Sequence, residues 1–75
     1  MMNQAAEIIA LKLKACCEVK GVEYFINDDE EKIYFYLIDR DGDQFEVFAT
    51  FVDVRTTSYE NIVKGLYMEF LSYVY

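Results

Sequence analysis

Carboxylates and aromatic rings are the side chains of this sequence that could do chemistry. Four acids stand in a row, Asp28, Asp29, Glu30 and Glu31; a second set alternates as Asp39, Asp41 and Asp43, and Glu46 follows. Tyr34, Tyr36 and Phe48 are interspersed with them. Paired carboxylates can act as general acid and base, as in glycoside hydrolysis, but only in a concave, partly dry site that separates their pKa values. Turn acids on a chain of 75 residues are not expected to be enclosed in that way. The sequence has no histidine, which removes histidine triads, histidine metal ligands and a histidine pH switch. Ser58 is better explained by a helix start, Ser72 has no evident base, and the isolated glycines at 21, 42 and 65 form no phosphate loop. The expectation is a protein that is not an enzyme and has no catalytic residues.

The run Asp39-Arg40-Asp41-Gly42-Asp43 invites comparison with a calcium loop. Such a loop needs oxygen ligands at positions one, three and five, glycine at six and glutamate at twelve. Counted from Asp39, those last two positions hold Gln44 and Thr50, so the register fails. A hairpin turn built on Asp-Gly accounts for the run, and no metal or cofactor is expected.

The charge has an address. The segment 23–53 carries ten acids against two bases, net −8, whereas 1–22 carries +1 and 54–75 is neutral, which gives the −7 of the whole chain. An acidic surface disfavours direct binding of nucleic acid, whose affinity comes largely from lysine and arginine on phosphates. It disfavours an anionic membrane surface as well, and no apolar run reaches the ~20 residues of a membrane span. The partner it suits is a protein with a basic surface. Cys16 and Cys17 are adjacent rather than spaced as a disulfide framework, and no signal peptide is visible, so the expected setting is a reducing cytoplasm.

Elements must hold these side chains in place. Ala5, Ile9, Leu13 and Cys16 recur at helical spacing, flanked by Ala6, Cys17 and Val19, which predicts a helix over 3–20 with both cysteines toward the core. Three segments rich in aromatic and β-branched residues follow: 22–26, 33–38 and 44–52. Short acidic turns between them predict an antiparallel meander. Ile33, Phe35, Leu37, Phe45, Val47, Ala49 and Phe51 are expected to face the core, leaving Tyr34, Tyr36, Ile38, Phe48 and Val52 outward. Thr57-Ser58-Tyr59-Glu60 fits a capping box opening a last helix on Tyr59, Ile62, Val63, Leu66, Tyr67, Phe70, Leu71 and Val74. Gly65 inside that helix predicts close approach of another backbone.

The expected fold is therefore α+β: one two-layer α-β-β-β-α domain over residues 1–75, with both helices on one face of a three-stranded antiparallel meander. In element order this resembles the double-stranded RNA-binding domain. That family opens its second helix with a lysine-rich phosphate grip, whereas Thr56-Thr57-Ser58-Tyr59-Glu60 stands here with no lysine before Lys64, so no functional residue is carried over. In size, charge and aromatic content the chain is similar to the small acidic inhibitors encoded by phages and mobile elements, including anti-restriction and anti-CRISPR proteins. That likeness implies a nucleic-acid mimic acting on a nucleic-acid-handling protein. The expected contact residues are Asp28, Asp29, Glu30, Glu31, Tyr34, Tyr36, Asp39, Asp41, Asp43, Glu46 and Phe48. A homodimerisation module is the alternative, and a degenerate double-stranded-RNA-binding-like domain the third.

Overall fold

In a computed structural model that describes residues 2–75, the chain runs α1 (Met2–Lys14), β1 (Gly21–Asn27), β2 (Lys32–Ile38), β3 (Gln44–Thr50), α2 (Phe51–Thr56) and α3 (Tyr59–Val74). The sheet is the expected open antiparallel meander, with β2 in the middle. Strict alternation along β2 decides which face is covered: Ile33, Phe35 and Leu37 are fully buried, and the residues between them are not. Val47 and Ala49 of β3 join them, and Ala6, Ile9 and Leu13 of α1 close over the same face with Ile62, Leu66 and Phe70 of α3. Both terminal helices thus lie on one side. Phe45, half-buried near the start of β3, packs edge-on to Phe70 with ring centres 5.8 Å apart and stacks on Tyr73 at 5.9 Å.

Three local boundaries differ from the sequence expectation, each for a visible reason. The first helix stops at Lys14 rather than 20. Glu18 takes a left-handed conformation with φ 76°, which turns the chain so that Val19 returns to the core. Cysteine is a poor helix former, so the helical spacing of Cys16 and Cys17 did not oblige them to continue the helix. Cys16 is consequently half-buried and Cys17 exposed, not core-facing as a pair. The Tyr67 hydroxyl donates to the Cys17 carbonyl at 2.8 Å and holds this turn against α3.

The third strand ends at Thr50, and residues 51–56 form a short helix that the strand-like run Phe51-Val52 concealed. Thr50 caps it: its hydroxyl accepts from the Asp53 amide at 3.0 Å, while the Asp53 carboxylate accepts from the Thr50 amide at 3.2 Å. Phe51 remains a core residue, but from a helix, and Val52 is left exposed beside it. The box expected at Thr57 shifts in turn. Thr57 ends α2, and Ser58 caps α3 by accepting from the Asn61 amide at 3.2 Å, without Glu60.

Gly65 has no close neighbour. A methyl group there would meet nothing within 4 Å, so the predicted backbone approach is absent and the glycine only weakens the helix. Replacing Gly65 by Ala should raise unfolding stability by roughly 0.5–1 kcal/mol, read from urea midpoints. Replacing Asp53 by Ala removes half of the α2 box and should lower stability by about 1 kcal/mol in the same assay.

Candidate functional site

The sheet face turned away from the helices is the candidate site. Pairing across the strands builds it in rows. Phe25, Tyr34 and Phe48 align as one row; Glu23, Tyr36 and Glu46 form the next; Asn27, Lys32 and Thr50 close the end nearest the first turn. Phe25 and Phe48 are 55% and 43% exposed, unusual for large aromatic residues on a solvated sheet face. The Tyr34 and Phe48 rings meet at a tilt, 5.8 Å between centres, and the Lys32 ammonium sits 4.5 Å from the centre of the Phe48 ring. The result is an aromatic strip with Glu23 and Glu46 on one side and Lys32 on the other.

The two acidic turns lie at opposite ends of β2, about 20 Å apart at ~3.4 Å per residue. The first adjoins the strip. Asp28, Asp29, Glu30 and Glu31 are all exposed there. The Asn27 side chain accepts from the Glu30 amide at 3.0 Å, and Glu31 has a left-handed φ of 55°. Glu30 reaches back to accept a hydrogen bond from the Tyr34 hydroxyl, which joins the turn to the aromatic strip. That bond is the largest cause of a Tyr34 pKa pushed up to about 12; partial burial and the charges of Glu30 and Glu46 add to it.

The second turn is a hairpin on Asp-Gly, with Gly42 at φ 86°, where a side chain would be strained. Asp39 does not present its carboxylate as the sequence suggested. It is 5% exposed, and its Oδ1 accepts from the amides of Asp41 and Asp43, each at 2.9 Å. The aspartate that begins the turn is thus its internal anchor, whereas Asp41 and Asp43 are exposed. Arg40 Nε lies 3.2 Å from Glu18 Oε2 and ties the hairpin to the turn after α1, without the angle of a hydrogen bond.

Of the eleven expected contact residues, the structure gathers Glu30, Tyr34, Tyr36, Glu46 and Phe48 on or beside the outer face, with Asp28, Asp29 and Glu31 at its rim. Asp41 and Asp43 stand at the far end and Asp39 is withdrawn. Phe25 and Lys32 were missed. Both follow from the register of β1 and β2, for Phe25 lies opposite Tyr34 and Lys32 alternates with it. Val52, expected on this face, is on α2 instead.

Beside Phe48 a groove of about 240 Å³ runs between β3, α2 and α3, lined by Ala49, Asp53, Thr57, Asn61 and Leu66 among others. Its only carboxylate, that of Asp53, is engaged in capping. Among the described residues, no three acids or cysteines converge in a way that could hold a metal ion, and no helix is long and apolar enough to cross a membrane. Compared with protein-family models, curated proteins and solved structures, the chain matches none.

The Tyr34–Glu30 bond gives a pH signature. Folding holds the Tyr34 proton more tightly, so its contribution to stability is complete below the ordinary tyrosine value near 10 and fades as pH rises to about 12. A difference titration of tyrosinate absorbance between wild type and Tyr34→Phe should isolate a late component near pH 12. Glu30→Gln should bring that component down toward the ordinary value.

Proposed function

We propose that this protein is a non-enzymatic binding module that presents an aromatic strip and an adjoining acidic turn to the basic, nucleic-acid-binding surface of another protein. On this view it is an inhibitor by mimicry, of the kind encoded by phages and mobile elements. The observation that carries the reading is the outer sheet face, where Phe25, Tyr34 and Phe48 stand exposed beside four consecutive turn acids. Exposed apolar area rimmed by charge is the composition of a protein interface, with the rings supplying affinity and the carboxylates orientation and on-rate. A base-stacking surface would also use aromatic rings on a sheet, but it needs a positive surround for the phosphates. Here Lys32 is the single base on the face, against Glu23, Glu46 and the turn.

The test is capture of lysate proteins by the immobilised chain at low and high salt. Nucleic-acid-handling proteins should be retained at low salt and released at high salt. Changing Asp29, Glu30 and Glu31 to Lys should weaken their retention roughly tenfold or more, and Phe48→Ala should weaken it without altering the salt dependence. Retention and salt dependence that survive the charge reversal unchanged would remove the mimicry reading.

A further inference from the structure

Among the described residues, the open edge of β1 has no partner. Which groups it offers follows from two backbone bonds at the ends of the β2–β3 ladder. The Phe51 amide donates to the Glu31 carbonyl and the Asp39 amide to the Asp43 carbonyl, each at 2.9 Å, and both unite residues in register. Odd-numbered residues of β2 therefore bond to β3, and even-numbered ones bond to the odd residues of β1. Val22, Tyr24 and Ile26 are left directing their N–H and C=O groups outward. Edge strands are normally blunted by lysine, proline or a bulge. β1 has neither lysine nor proline, pairs with β2 without a skipped residue, and carries one charge, Glu23. Tyr24 is 39% exposed on the helix side, between the half-buried Val22 and Ile26, and Phe25 is more exposed on the other.

We propose that a second copy of the chain pairs with this edge, β1 against β1 antiparallel about a two-fold axis at Tyr24, to make one six-stranded sheet. Charge selects both the occupant and the register. With Tyr24 opposite its counterpart, Val22 faces Ile26 of the second copy, Glu23 faces Phe25 and Gly21 faces Asn27, so the whole strand is paired. Just past the two ends of the strand, the exposed Lys20 of one copy comes near the exposed Asp28, first residue of the turn, of the other, and symmetry repeats the pair. Sliding one way sets Glu23 against Glu23, and sliding the other sets Val22 against Asp28; each shortens the ladder. The rest of the surface suits a second copy less. The outer face carries Glu23, Glu30 and Glu46 against Lys32 as its one base, and the β3 edge carries Glu46 between Asp43 and Asp53. Pairing through β1 leaves the outer aromatic strip and Asp29, Glu30 and Glu31 of the first turn open, and draws only Asp28 of the proposed binding surface into the seam.

The experiment is sedimentation and light scattering of the full chain over a wide concentration range. The mass should rise with concentration from 8.9 kDa toward twice that value. Tyr24→Pro removes an N–H that β2 does not use and should leave a monomer with unchanged circular dichroism. Lys20→Asp and Asp28→Lys should each weaken the dimer by about tenfold, and the two together should restore it. A wild type that stays at 8.9 kDa throughout overturns the proposal, as does a dimer that persists in folded Tyr24→Pro. If the proline variant does not fold, the charge exchange decides, since both its residues are exposed; failure of the double variant to recover overturns the proposal. So does a monomer that binds an extended peptide of a different sequence along β1.

Discussion

One face of the sheet is covered, and the other is bare. Ile33, Phe35 and Leu37 of the central strand have no exposed surface because α1 and α3 close over them, and among the described residues no helix lies across the other side. A domain this small keeps a large share of its surface in water, so its aromatic content cannot all be placed inside. The strands divide it by alternation: Phe35 goes in, Tyr34 and Tyr36 go out, and the rings on the bare side have only one another and the turn acids for company.

The bare face is ordered by polar contacts that the core does not supply. Glu30 fixes the Tyr34 hydroxyl, Lys32 lies over Phe48, and Glu23 and Glu46 flank Tyr36 in register. Local bonds hold the turn acids in place without neutralising them, because the bonds that shape the first turn use the Asn27 side chain and backbone groups. Asp39 and Asp53 have carboxylates engaged by backbone amides, and Glu30 accepts from Tyr34. The segment that carries the excess charge therefore keeps most of it available to solvent.

Long-period features were legible in the sequence, and short-range competitions were not. The spacing of Ile62, Leu66 and Phe70, and the alternation of Ile33, Phe35 and Leu37, repeat often enough that helix and strand are each overdetermined. At Thr50-Phe51-Val52-Asp53 two signals overlap, a strand-like run and a capping box, and the box prevails once Phe51 can reach the core from a helix. Glu18 gave no warning of its left-handed turn, since that conformation is usual for glycine and the nearest one is Gly21. Asp39 read as a solvated turn acid because composition cannot tell an anchor from an ornament. Phe25 needed the pairing of two strands before its face could be known.

The bond from the Phe51 amide to the Glu31 carbonyl closes the ladder at the end where the acidic turn meets α2. Phe51 is the first residue of that helix, so an amide that would otherwise lack an intrahelical acceptor is satisfied by the turn's own backbone. Side chains take no part. The turn is thereby held to its present length while most of its composition stays free: acids can be exchanged one for another at 28 and 29, but an inserted residue would carry the carbonyl away from the amide and loosen the helix start. Substitutions and insertions in the same few residues are thus expected to have quite different histories.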